Sequence, residues 1–150
     1  MEVFTSEELA FLEEAGSGDA PRLARIATRG PGGMPHVTPV GWRLDPDRHV
    51  IEVGGIRLAR TKKFRDIERT GVAALVIDDV LPPWRPRGIE VRGEAHAIDG
   101  PDPVIRIVPT RIVSWGLADD HGIGSLTSRS LAIPPDDRRS PPGSRPVSVR

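Results

Sequence analysis

The sequence predicts a mainly β protein, a closed or nearly closed barrel of about six antiparallel strands with two short helices. Three observations predict it. Six strand-like stretches follow one another at short spacing, separated by Gly, Pro and Asp turns. Only two stretches read as helices, whereas a doubly wound sheet needs a helix between most of its strands. The chain has 150 residues, 37% of them apolar, which suits one domain with a sizeable core.

The first element, Phe4 to Glu14, reads as a helix with complete start signals. Thr5 and Glu8 have capping-box spacing, and Phe4 and Leu9 occupy the two positions of a hydrophobic staple. Gly16 stops it. Three strands follow, Leu23 to Thr28, His36 to Leu44 and His49 to Val53. The turns at Gly30–Pro35 and Asp45–Asp47 make them an antiparallel meander. Arg60 to Arg69 reads as the second helix, with Phe64 and Ile67 on one face. Val72 to Ile77 is apolar on both parities, the pattern of a central buried strand.

Asp78 and Asp79 end that strand, and Pro82, Pro83 and Pro86 stiffen a loop around Trp84. Gly88 to Ile98 then alternates cleanly. Ile89, Val91, Ala95 and Ala97 face one way, and Glu90, Arg92, Glu94 and His96 the other. Val104 to Trp115 is the last strand, where Pro109 calls for an edge position or a bulge. Residues 1–116 form the expected barrel domain. Residues 117–150 are rich in proline and arginine without periodicity, the expectation being a mostly disordered tail.

Composition excludes several classes of function. With no cysteine there is no disulfide, thiolate nucleophile or cysteine-bound metal. Basic and acidic residues balance at 21 each, so general attraction to nucleic acid or to membranes is not expected. No apolar run is long enough to cross a bilayer and no signal-peptide pattern opens the chain. The expected address is the cytoplasm.

One local imbalance asks for a partner. Arg57, Arg60, Lys62, Lys63, Arg65 and Arg69 crowd one stretch against only Asp66 and Glu68. A helix N-terminus carries partial positive charge and free N–H groups, so cations there are unfavourable. Two lysines after Thr61 become favourable when an anion sits at the helix start, held by N–H groups, the Thr61 hydroxyl and the lysines. A solvated basic face is the plainer alternative. Gly54-Gly55, just upstream, permits close backbone approach by a ligand or is an ordinary flexible turn. Trp84, beside Arg85 and Arg87, suits either a ligand ring or a subunit interface. Trp42 reads as core. His36, His49, His96 and His121 have no metal-ligand spacing, and no nucleophile motif or acid–base pair stands out. Chemistry carried by a bound cofactor is consistent with that absence.

The stretches Ala27-Thr28, Pro35 to Trp42, Thr61 to Ile67, Asp78-Asp79, Pro83 to Gly93 and Arg111 to Gly116 resemble the pyridoxamine-phosphate-oxidase-like proteins. The resemblance is to their deazaflavin-dependent branch, and is most specific at Trp84-Arg-Pro-Arg-Gly88 and Ser114-Trp-Gly116. It implies a split β-barrel homodimer with two cofactor sites at the subunit interface. The implied cofactor is coenzyme F420, with FMN in more distant branches. By position, Thr61, Lys62 and Lys63 would hold the cofactor phosphate, with Arg60, Gly54 and Gly55 beside them. Val40, Gly41 and Trp42 would line the ring, and Trp84 and Arg87 would come from the partner subunit. Asp66 departs from the family pattern by placing a carboxylate near an anionic group. The implied substrate is a conjugated small molecule, in some relatives a polycyclic antibiotic precursor. The leading expectation is an F420-dependent reductase; the alternatives are an FMN-dependent oxidase or reductase and a non-catalytic cofactor carrier.

Overall fold

The structure is a computed structural model that describes residues 2–118 and 126–131. Helix α1 spans Ser6–Ala15 and begins as its sequence dictates. Thr5 Oγ1 accepts from the Glu8 N–H at 3.2 Å, and Glu8 Oε2 accepts from the Thr5 N–H at 3.0 Å. The capping box is therefore complete. Phe4, Phe11, Leu12 and Ala15 are buried, and Leu9 packs at the edge of the same cluster.

The strands are β1 (Ala24–Arg29), β2 (Pro35–Val40), β3 (Trp42–Asp45), β4 (Val50–Val53), β5 (Val72–Leu81), β6 (Arg85–Ile98), β7 (Val104–Trp115) and β8 (Leu126–Ser130). They form one antiparallel sheet in the order β2-β1-β5-β6-β7-β4-β3, with β8 added to β7. The terminal strands of that order, β2 and β3, are consecutive in the chain and separated by Gly41 alone. A single residue can join the two edges only when the sheet curls until they meet, so the sheet is a barrel wall.

The expected strand from His36 to Leu44 is thus two strands. Its first half pairs with β1 and its second half with β4, and Gly41 is the corner between them. Strand β5 lies centrally, between β1 and β6, but extends to Leu81 and buries one face only. Ala73, Leu75 and Ile77 point inward, while Val72 on the other face is exposed.

Pro109 marks a bulge, as its missing N–H requires. The pairing of β6 with β7 shifts between Arg92 and Gly93, and Thr110 is the extra residue. A Cβ on Gly93 would lie 1.9 Å from the Val108 carbonyl oxygen, so only glycine fits opposite that bulge. Pro109 also falls where β7 changes partners. Its first half, Ile105–Ile107, pairs with β4, and its second half, Arg111–Trp115, pairs with β8.

The stretch expected to be a disordered tail therefore contributes a strand. Residues 119–125 and 132–150, which belong to the same expectation, lie outside the described residues. Helix α2 (Lys62–Thr70) ends at Gly71, whose φ of 68° is left-handed. It packs Phe64 and Ile67 into the core beside β1 and β6.

Candidate functional site

The segment leading into α2 is built to hold its backbone open. After β4, Gly54, Gly55 and Ile56 are exposed, Ile56 at 94%. Arg57 follows with a left-handed φ of 52°, which turns the chain into a short 3-10 turn, Leu58–Arg60. Thr61 is extended (φ −82°, ψ 155°) and caps the helix. Its hydroxyl donates to the Leu58 carbonyl at 2.6 Å and accepts from the Phe64 N–H at 3.4 Å. The N–H groups of Lys62 and Lys63 belong to the first turn, where no carbonyl of the helix can reach them.

The two lysines have different surroundings. Lys62 Nζ lies 3.1 and 3.2 Å from the two oxygens of Asp66, one helical turn on. Asp66 is buried and also accepts from Thr28 of β1 at 2.9 Å and from Arg69 at 3.3 Å. Burial alone would raise its pKa, but these donors outweigh it and hold the carboxyl below the usual aspartate value. Lys63 has no carboxylate partner among the described residues, and neither do Arg57 and Arg60. It is half-buried, and burial pulls its ammonium below the ordinary lysine value. An anion beside it would reverse that shift. Arg57, Arg60, Lys63 and the exposed Gly54-Gly55 backbone thus form one cationic group at the start of a helix.

The other residues implied by resemblance are placed differently. Val40 is buried in the core cluster. Trp42 packs against that cluster, and its indole N–H donates to the Arg22 carbonyl at 2.8 Å. Between them only Gly41 is exposed, so this corner offers a ligand its backbone rather than two side chains. Arg87 is not free to reach outward. It bonds Asp79 at 2.7 and 3.0 Å and Glu14 at 2.9 and 3.3 Å, and lies 5.1 Å from the centre of the Phe11 ring.

Asp79 is held below the usual carboxylate range by those Arg87 bonds, and Arg22 adds to the same effect at 2.7 Å. Trp84 is 75% exposed at the turn joining β5 to β6. The ten residues of β5 separate that turn from the end of α2 by roughly 30 Å, and α2 itself spans only about 13 Å. Within one chain, therefore, Trp84 and the helix start lie well apart.

Sequence reasoning missed a second buried carboxylate. Glu8 is fully buried, and besides its capping bond it accepts from Ser114 Oγ at 2.8 Å and from Arg129 at 2.8 and 2.6 Å. Burial would raise its pKa, but Arg129, the Thr5 N–H and Ser114 together bring it below the usual glutamate value. Arg129 also donates to the Val3 carbonyl. No local signal could have shown this, because the partners lie 106 and 121 residues away. A cleft of about 240 Å³ opens over the cluster between Thr5, Glu7, Trp115 and Thr127, and none of its lining residues comes from the α2 segment. Arg87 with Asp79 could have been read, since a turn at Pro82–Trp84 sets those two residues opposite each other.

The curled antiparallel sheet with two helices is a split β-barrel. The same architecture is seen in a pyridoxamine 5'-phosphate oxidase-related, FMN-binding protein from Nostoc punctiforme. That protein is 12% identical, with a TM-score of 0.59 over 87% of this chain and 99% of its own. It is seen again in a conserved hypothetical protein from Mycobacterium tuberculosis, 20% identical, with a TM-score of 0.61 over 76% and 86%. At the sequence level, residues 5–130 match the pyridoxamine 5'-phosphate oxidase family, and the chain belongs to that family of oxidoreductases. The match ends where β8 ends. A 5a,11a-dehydrotetracycline/5a,11a-dehydrooxytetracycline reductase of Streptomyces rimosus is 35% identical over 147 residues, which cover 91% of this chain and 99% of that protein.

Proposed function

We propose that the protein is an F420-dependent reductase that delivers a hydride to an activated double bond of a conjugated small molecule. It would work in the cytoplasm as a homodimer, with a cofactor site at each subunit interface. The observation that carries this reading is the set of cations without carboxylate partners at the start of α2. Lys63, Arg57 and Arg60 have nothing of their own to neutralise them among the described residues, and Gly54-Gly55 beside them is open to close approach.

Such a group fits a cofactor bearing a phosphate and several carboxylates. Lys63 and the first-turn N–H groups would hold the phosphate, and Arg57 and Arg60 would meet carboxylates of the tail. Reduced F420, when bound, supplies the hydride. The protein's part is to bind and orient. The Gly41 corner would present backbone to the ring, and Trp84, which stands clear of its own subunit, would cover it from the partner. Lys62 and Thr61 serve mainly to shape the helix start, and Arg87 belongs to the subunit's internal ion pairs.

Similarity to the Streptomyces rimosus reductase favours a fused polycyclic substrate with a conjugated double bond. The test is the absorbance spectrum of the protein after incubation with F420 or FMN and desalting, followed by turnover. F420 should remain with the protein, and reduced F420 should be oxidised only when an electron-poor polycyclic alkene is added. Retention of FMN with no affinity for F420 would leave an FMN-dependent enzyme as the better reading. Retention of F420 without turnover of any such alkene would leave a carrier.

A further inference from the structure

The buried carboxylate of α2 bears on which phosphate the site accepts. Asp66 is 2% exposed, and its oxygens are shared among Thr28, Lys62 and Arg69. The turn that follows β1 is shaped to admit the Lys62 ammonium. A Cβ on Gly30 would lie 2.8 Å from Lys62 Nζ, so a side chain at that position would displace it. Glycine, β1 and the helix together fix Lys62 against Asp66. Two neighbouring lysines at one helix start therefore carry unequal charge toward a ligand. Lys63 presents a whole positive charge, while that of Lys62 is partly offset by a carboxylate that it shares with Arg69.

The two candidate cofactors differ in the matching quantity. FMN ends in a phosphomonoester, which carries close to two negative charges at neutral pH. The tail of F420 is attached through a phosphodiester, which carries one. We propose that Asp66 is a specificity-determining residue: by adding one negative charge beside Lys62 it sets the charge of the site for a phosphodiester monoanion and against a phosphomonoester dianion. This rests on reading the start of α2 as the cofactor phosphate site. Asp66 acts through Lys62 and touches no ligand atom itself. One extra unit of site charge, a few ångströms from the phosphate and partly shielded from solvent, should change the monoester-to-diester preference on the order of fivefold.

The test uses the full chain and two probes that share ring and ribityl chain, FMN and its phosphate monomethyl ester. Dissociation constants are measured for the native protein, Asp66→Asn, Lys62→Gln and the double variant, with F420 as a further ligand for the native protein. Asp66→Asn should shift the preference toward FMN, and Lys62→Gln should shift it toward the ester. The double variant, whose net charge is unchanged, should return to the native preference. A merely structural role for Asp66 predicts no such return. If Asp66→Asn does not fold, as judged by circular dichroism, Lys62→Gln and the double variant still decide the matter. Equal effects on both probes, or a double variant that keeps the preference of a single one, overturn the assignment while leaving the phosphate site intact. Failure of the native protein to bind F420, FMN or the ester removes the site and the assignment with it.

Discussion

Two groups of charge in this protein draw on the same kinds of cation and behave oppositely in the fold. In one group, Glu8 and Arg129, and Arg22, Asp79, Arg87 and Glu14, are paired within the chain at 2.6 to 3.6 Å. In the other, at the start of α2, Arg57, Arg60 and Lys63 have no carboxylate partner among the described residues. A charge removed from water needs a partner, and the first group finds its partners inside the subunit. The second group keeps its capacity for something else. The contrast separates residues that hold the barrel together from residues able to hold a ligand, and the residue types alone do not.

The comparison breaks most easily at Arg129. Replacing it with alanine, or ending the chain at residue 118, leaves Glu8 buried without its cation. Removing one member of a buried pair costs about 3 kcal/mol, which in a chain of this size lowers the melting temperature by roughly 10 °C. Thermal unfolding at neutral pH checks it. The deficit should also shrink in acid. In the native protein Glu8 has a lowered pKa, so its contribution is complete above the ordinary glutamate value and fades as pH falls through the lowered one. Without Arg129, burial dominates and raises the Glu8 pKa, so the variant relieves its buried charge by taking up a proton at a higher pH. A melting temperature unchanged by either alteration would show that β8 contributes nothing to the barrel.

Lys63→Ala tests the other side of the contrast. Losing one charge-assisted hydrogen bond should weaken cofactor binding by roughly 1.5–3 kcal/mol, while stability stays almost constant because Lys63 has no partner to leave behind. Calorimetric titration beside a thermal melt separates the two effects. Arg87→Ala should do the reverse, lowering stability through Asp79 and Glu14 with little change in affinity per folded subunit. A variant of Arg87 that keeps its melting temperature but loses cofactor would return Arg87 to the site.

What was legible in the sequence was mostly local. The capping box at Thr5 and Glu8, the Gly16 helix end, the alternation from Ile89 to Ala97 and the bulge at Pro109 each depend on residues a few positions apart. The barrel could be read because short strands outnumbered helices. The corner at Gly41 could not, since apolar patterning runs through it and only the pairing shows that β2 and β3 have different neighbours. Nor could β8, because Leu126–Ser130 has little apolar character and is held by Arg129 and by the bonds from Arg111 to Ser128 and Ser130. At the candidate site, the cationic helix start was visible as a violation of ordinary helix electrostatics. The division between Lys62 and Lys63 was not drawn, although Asp66 stands at the i+4 spacing from Lys62 that predicts their pairing.

A smaller effect sharpens the role of Thr61. Its hydroxyl is engaged with Leu58 and Phe64, so it acts as a helix cap. Thr61→Ala should cost about 1 kcal/mol of stability, and Thr61→Ser should restore it. Any loss of cofactor affinity should follow the helix start rather than a missing hydroxyl contact. Affinity that falls in the serine variant as well would show that the methyl group, not the cap, is what the site needs.

The smallest expected change in stability is at Trp84, and it is the most informative about assembly. An indole 75% exposed at a hairpin turn makes little contact with its own subunit, so Trp84→Ala should alter the stability of the isolated subunit by no more than about 0.5 kcal/mol. Large exposed aromatic residues are favoured where a second surface covers them, because they bury much area at low cost in side-chain entropy. If Trp84 completes the cofactor site of a partner, the alanine variant should dissociate more readily in light scattering. It should also bind cofactor more weakly, while each subunit melts as before when dilute. A variant that remains dimeric but binds cofactor less tightly would place Trp84 against the ligand rather than in the subunit contact. A variant unchanged in both respects would show that the unpaired surface of this protein ends at the basic group beside α2.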